Sequence, residues 1–210
     1  MSLTIDLGIN VSADTNPAAL YKRNLLRYSQ DFTNATWRSG VPGGTVIANT
    51  ADTTAPDGTS TATKASATAV SFGGIFARSN AYTYLSNTTY TFSVYAKAGT
   101  TSYVGLRSSG GSASGTDLYC YYNLSTGSAT SITPASGTVV LVNSTNAGNG
   151  WWRCRLTYTT GASIPSSITD IAITSSTGAT AVTPSSTSNI YVWGAQLELG
   201  ANMSDYIATQ

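Results

Sequence analysis

The chain has 210 residues, with 10 Lys and Arg against 9 Asp and Glu, no histidine, and only 9% charged residues. Without histidine, Ser-His-Asp and Cys-His catalysis and His-ligated zinc or haem are excluded. A net charge of +1 with basic residues scattered singly offers no field for gripping nucleic acid phosphates, and runs such as Val139–Val142 are far too short for a membrane-spanning helix.

What remains is rich in β-forming residues. Hydrophobic residues make up 41% of the chain, with 13 Tyr and 4 Trp, and Ser plus Thr account for about 30%, well above ordinary usage. Thr, Tyr, Val, Ile and Trp suit a pleated surface, whereas the good helix formers Lys, Glu, Gln and Met are scarce. The apolar content suffices for one sizeable core.

In chain order, residues 1–23 read as a short extended arm. Leu3, Ile5, Leu7 and Ile9 alternate with Thr4, Asp6, Gly8 and Asn10, the period of a strand. A strand at a chain end suits addition to the sheet edge of a neighbouring subunit; a tail that docks nowhere is the other reading. MSLTIDLGIN lacks the charged start and apolar stretch of a signal peptide. From Asn24 to Gln210 the chain reads as one domain. One helical turn is expected over Asp31–Trp37. Strands are then expected at Thr45–Asn49, Ala62–Ala67, Gly73–Arg78, Thr89–Ala98, Tyr103–Ser108, Leu118–Leu124, Ala129–Ile132, Val139–Asn143, Trp152–Thr159, Ile168–Ser175 and Ile190–Leu199. Turn residues separate them, as at Pro42-Gly43-Gly44, Pro56-Asp57-Gly58 and Ser125-Thr126-Gly127. Such a series without intervening helices predicts an all-β fold, an antiparallel β-sandwich of the jelly-roll type.

Alternation assigns faces. Tyr90, Phe92, Val94 and Ala96 form one core-facing set, and Trp152, Cys154, Leu156 and Tyr158 another. In the last strand both faces are apolar through Tyr191–Trp193, which predicts a central position; strict alternation then places Gln196 and Glu198 on the Ile190/Val192 side. Cys120 and Cys154 fall in different strands, outside any metal-ligand spacing, and read as two small buried thiols rather than a disulfide.

The signals for chemistry are sparse. The nine acids are dispersed, no G-x-S-x-G or S-x-x-K motif activates a serine, and no metal site is legible. Asp57 reads as a turn residue. A structural calcium held mainly by backbone carbonyls would leave no mark on the sequence. Binding is the reading left. Trp151, Arg153 and Arg155 share the strand face opposite Trp152. Tyr95 points away from Phe92, and Tyr119 and Tyr121 point away from Cys120. These outward aromatics and arginines suit a carbohydrate platform, on which sugar faces stack and planar groups bond the hydroxyls. They suit a subunit interface better still, since Tyr, Trp and Arg concentrate there.

Five segments carry a resemblance. They are Asn24-Leu25-Leu26-Arg27-Tyr28-Ser29-Gln30-Asp31-Phe32 through Trp37, Pro56-Asp57-Gly58-Thr59, TYTFSVYAKAG (Thr89–Gly99), GWWRCRLTYT (Gly150–Thr159), and IYVWGAQLELG (Ile190–Gly200) with Tyr206-Ile207. In this order they resemble the carbohydrate-binding-module-like jelly roll of bacteriophage structural proteins, over about residues 24–208. The resemblance implies a non-enzymatic virion protein: a tail-fibre or baseplate component, or a capsid decoration, made in the host bacterial cytoplasm. It implies as partners further copies of itself, a homotrimer being the commonest arrangement, and other capsid or tail proteins. A host surface polysaccharide is the ligand of the alternative, adhesin reading. The resemblance transfers no sugar-contacting residues; Trp152, Trp193 and Tyr90 match as framework.

Overall fold

The computed structural model describes residues 23–38, 45–66, 75–79, 82–108, 118–132, 138–163, 168–174 and 188–210. The expected arm, with Leu3, Ile5, Leu7 and Ile9, lies outside these residues. One helical turn, α1 (Ala35–Arg38), precedes the strands. The strands are β1 (Thr45–Ile47), β2 (Thr63–Ser66), β3 (Ile75–Ser79), β4 (Thr89–Ala98), β5 (Tyr103–Ser108), β6 (Leu118–Asn123), β7 (Ala129–Ile132), β8 (Thr138–Gly148), β9 (Trp151–Thr159), β10 (Thr169–Thr174) and β11 (Asn189–Leu199). The helical turn forms where Asn34 caps it, its Oδ1 accepting from Thr36 N at 2.9 Å, which satisfies an otherwise orphan donor. Trp37 then tucks inward, its Nε1 donating to Tyr28 O at 2.9 Å.

The strands form an antiparallel β-sandwich of two sheets. The larger has the order β1-β2-β11-β4-β9-β8, and the smaller β3-β10-β5-β6-β7. Its core lies between them, where the expected faces meet: Tyr90, Phe92, Val94 and Ala96 from β4 and Cys154, Leu156 and Tyr158 from β9 are all fully buried. They face Val104, Leu106, Leu118, Cys120, Tyr122, Ile171 and Ile173 of the smaller sheet. Cys120 and Cys154 are buried free thiols. The Cys120 thiol lies 3.2 Å from the Tyr122 hydroxyl, and burial pushes it up to about 12. The hydroxyl reaches across the core to donate to Arg155 O of β9 at 2.5 Å.

Strand β11 sits inside the larger sheet between β2 and β4, as its two apolar faces predict. Its parity departs from expectation. The register shifts between Trp193 and Gln196, which face Tyr95 and Ser93 of β4, and Gly194 takes a φ of +60° at that point. An extra residue in one strand reverses the alternation beyond it. Gln196 and Glu198 therefore lie on the outer face with Tyr191 and Trp193, and Ala195 and Leu197 turn into the core. Strict alternation assigned Gln196 and Glu198 to the opposite side because a bulge leaves no mark on a hydrophobicity pattern.

Candidate functional site

The predicted binding residues divide between the two outer faces of the sandwich. Tyr95, Trp151, Arg153 and Arg155 lie on the larger sheet, with Tyr95 directly opposite Arg153. Tyr119 and Tyr121 lie on the smaller sheet, on β6. The two groups are separated by the full thickness of the core and cannot form one platform.

The larger sheet's outer face is covered by the chain itself. Over one half lies the segment 50–62. Trp151 is 1% exposed; its Nε1 donates to Thr54 O at 2.9 Å, and it packs with Ala55, Ala62 and Trp193 in a second small core. Trp193 Nε1 donates to Thr61 Oγ1 at 2.9 Å, and Lys97 Nζ to Thr53 Oγ1 at 2.9 Å. The C-terminal segment 201–210 straps the other half. Tyr206 packs on Trp193 with ring centroids 4.5 Å apart and edge-on to Tyr95 at 6.3 Å. Arg153 lies over the Tyr95 ring at 5.2 Å and donates to Ser204 O at 2.6 Å. Arg155 donates to Ala201 O. Gln196 Oε1 accepts from Ile207 N at 2.6 Å, and Glu198 accepts from the Ser204 amide and hydroxyl. The alternation placed Trp151 and Arg153 on the outward face correctly, but that face is interior, because a loop and the C-terminus close over it. An apolar indole and a guanidinium that meet their partners within the chain have no face left for a ligand.

Asn24 ties the strap to the sheet. Its Nδ2 donates to Ala195 O and Ile207 O, both at 2.9 Å, and its Oδ1 accepts from Leu26 N and Leu197 N, both at 3.1 Å. One amide thus uses its full hydrogen-bonding capacity to join the start, the last strand and the end of the domain. The five motif segments converge on this outer face and its cover, or on the core strands behind them, in keeping with a framework role.

The smaller sheet's outer face is built differently. Register aligns Arg78 of β3, Asp170 of β10, Arg107 of β5 and Tyr119 of β6 in one row across four strands. Strand spacing makes such a row about 15 Å long. Asp170 is fully buried; Arg78 Nε lies 2.8 Å from one of its oxygens and Arg107 Nε 2.7 Å from the other. Arg107 also sits over the Tyr119 ring at 5.7 Å and donates from Nη1 to the Tyr119 hydroxyl at 3.2 Å. The next row brings Gly105 opposite Tyr121, and a third brings Tyr103 opposite Asn123, whose Nδ2 donates to the Tyr103 hydroxyl at 3.3 Å. Tyr103 and Tyr119 are half-buried and Tyr121 is buried; burial pushes the Tyr121 hydroxyl up to about 12, so it stays protonated at neutral pH. The outcome is a pleated face carrying two half-buried phenols, Tyr103 and Tyr119, with two guanidiniums held by one carboxylate and an amide, while Tyr121 is buried within it. Planar rings and planar polar groups at fixed spacing are what sugar recognition uses.

Arg78, Arg107, Asp170 and Tyr103 escape a search confined to aromatic clusters. Arg78 and Asp170 are the single charges of β3 and β10, and only the pairing of these strands with β5 and β6 sets them in a row with Arg107 and Tyr119. Two other described acids serve locally. Asp57 Oδ1 accepts from Thr59 N at 3.0 Å, closing the expected turn. Asp52 pairs with Lys64 at 2.7 Å, which holds its carboxyl below the ordinary range. Among the described residues, no three His, Cys, Asp or Glu side chains come together.

No family model matches the chain, and no curated protein matches it. Among solved structures it is similar to the CBM22-1–GH10 modules of the Clostridium thermocellum endo-1,4-beta-D-xylanase 10B, complexed with xylohexaose. That match has 16% identity and a TM-score of 0.41, covering 81% of this chain and 27% of that one. It is also similar to a "putative sugar binding protein" from Bacteroides thetaiotaomicron, with 12% identity and a TM-score of 0.41 over 85% of this chain and 100% of that one. The chain thus spans about a quarter of the xylanase structure's length. At these scores the likenesses carry no inference about a ligand.

Proposed function

We propose that this chain is a non-enzymatic structural module of a phage particle, and that the outer face of its smaller sheet binds host surface glycan. The observation that carries the binding reading is the row Arg78–Asp170–Arg107–Tyr119, flanked by the half-buried Tyr103. A buried carboxylate between two guanidiniums holds both planes in place, and a ring held by one of them needs no reordering to accept a sugar face, which lowers the entropic cost of binding. The larger sheet's outer face offers no such surface, since its aromatics and arginines are used in packing. The particle reading is supported by the five ordered motif segments and by a weakly charged, Ser/Thr-rich composition.

Glycan arrays and affinity electrophoresis on host polysaccharide test the binding reading. Tyr119→Ala removes the ring while leaving the Asp170 ion pairs, and is expected to lower retention at least tenfold with little change in melting temperature. Retention equal to that of the parent chain would place the ligand elsewhere or remove it. Immunogold microscopy of intact particles with antibody against residues 24–210 tests the location: gold on the tail supports an adhesin role, gold on the head a decoration, and an unlabelled particle counts against both.

A further inference from the structure

Among the described residues, strand β8 forms one edge of the larger sheet and pairs with β9 alone. It has 11 residues, Thr138–Gly148, and none of them is charged or proline. The other edges are β1 with 3 residues, β7 with 4, and β3 with 5 including Arg78. Long edges without charge or proline are the ones that accept a further strand. Val140 is 51% exposed and Leu141 38% exposed, while Val139 and Val142 pack against the core. Register shifts interrupt the pairing between Val139 and Leu141 and again between Asn146 and Gly148, leaving a regular stretch over Leu141–Asn146. Along it Val142 and Ser144 face inward, opposite Leu156 and Cys154, while Asn143 and Thr145 face outward, opposite Arg155 and Arg153.

We propose that this edge receives the segment Leu3–Ile9 of a neighbouring copy of the chain. The segment has the matching length and alternation. Leu3, Ile5, Leu7 and Ile9 continue the inward face beside Val142, and Thr4, Asp6 and Asn10 continue the polar outward face beside Asn143 and Thr145. The chain reaches Asn24 on β11, where Leu25 N donates to Leu197 O at 2.8 Å. A strand added beyond β8 lies four strand spacings from there, about 19 Å, and the 13 residues from Asn10 to Lys22 extend about 40 Å. The direct route to the chain's own edge crosses β9, where Ala201 and Ser204 of the strap already occupy Arg155 and Arg153. A neighbour's β8 presents no such obstacle. This reading stands independently of glycan binding.

Two experiments on the full chain test it. Size-exclusion chromatography with light scattering is expected to show an oligomer for the parent chain. A chain lacking residues 1–22 and the Val140→Lys/Leu141→Lys variant are each expected to run at its own monomer mass with unchanged circular dichroism. Co-expressed chains, one carrying Ile5→Cys and the other Val140→Cys, are expected to cross-link on mild oxidation into a species of twice the chain mass. An oligomer that survives loss of residues 1–22 overturns the proposal. So does a cross-link formed within one chain bearing both cysteines but not between chains, which would seat the arm on its own edge. Monomeric truncation without any cross-link overturns it too, because the arm then seats elsewhere.

Discussion

Replacing Trp151 with Ala separates a packing role from a ligand platform. The indole is 1% exposed, lies with Ala55, Ala62 and Trp193, and donates to Thr54 O at 2.9 Å. Burying a tryptophan contributes chiefly through apolar area and dispersion, and truncating one to Ala in a core costs roughly 3–5 kcal/mol. The lost hydrogen bond adds about 1 kcal/mol, because the Thr54 carbonyl loses its donor. Segment 50–62 cannot simply settle into the gap. Thr50 N to Ala62 O and Ala55 N to Thr59 O, both at 2.9 Å, hold its shape, and Trp193 remains bonded to Thr61 at 2.9 Å. For a chain of this size each kcal/mol moves the melting temperature by about 2–4 °C, so the combined loss of about 4–6 kcal/mol is expected to lower it by roughly 8–24 °C. Trp151→Phe, which keeps most of the ring volume and loses only the donor, is expected to lose far less. Differential scanning calorimetry with glycan retention measured on the same samples checks both. An unchanged melting temperature together with lost retention would refute the packing argument and return Trp151 to a binding surface.

Further predictions concern the supporting structure. Asp170→Asn leaves two guanidiniums beside a buried neutral amide, and breaking such a buried pair costs about 3–5 kcal/mol; urea denaturation reads it as a lower midpoint at unchanged slope. Gly127 has a φ of +74° and its missing Cβ would lie 2.2 Å from the Trp152 ring. Gly127→Ala is therefore expected to destabilise by about 2 kcal/mol or more, seen in the same titration. Ending the chain at Asn202 removes the partners of Arg153, Gln196 and Glu198. It is expected to raise binding of an apolar dye and speed proteolysis within the 50–62 segment. Stability should fall at alkaline pH. Burial raises the Cys120 thiol from 9.0 to about 12 and the Tyr121 and Tyr206 hydroxyls from 10.0 to about 12. The folded state thus holds protons that the unfolded chain releases. Their stabilisation is complete below pH 9 and is lost between 9 and 12, at about 1.4 kcal/mol per pH unit for a fully buried group such as Cys120. Denaturation midpoints from pH 7 to 11 test this, and a flat profile would contradict it.

Local pattern alone determined a good deal about this protein. Alternation in TYTFSVYAKA and WWRCRLTYT named the core-facing residues of β4 and β9, because in a strand a side chain's face follows from its position. Turn residues set most strand limits, although β8 runs on to Gly148 beyond its expected end at Asn143, and the missing histidine and scattered acids narrowed the chemistry before any fold was considered. Three matters belonged to the tertiary structure. The bulge at Gly194 moved Gln196 and Glu198 to the outer face, since one inserted residue reverses parity without changing composition. The 50–62 segment and the C-terminal strap turned the outward Trp151 and Arg153 into interior residues; periodicity tells which side of a sheet a residue faces, not whether another segment covers that side. And the row Arg78–Asp170–Arg107–Tyr119 exists only because strands far apart in the chain lie side by side, so its charges, each unremarkable in its own strand, become one surface.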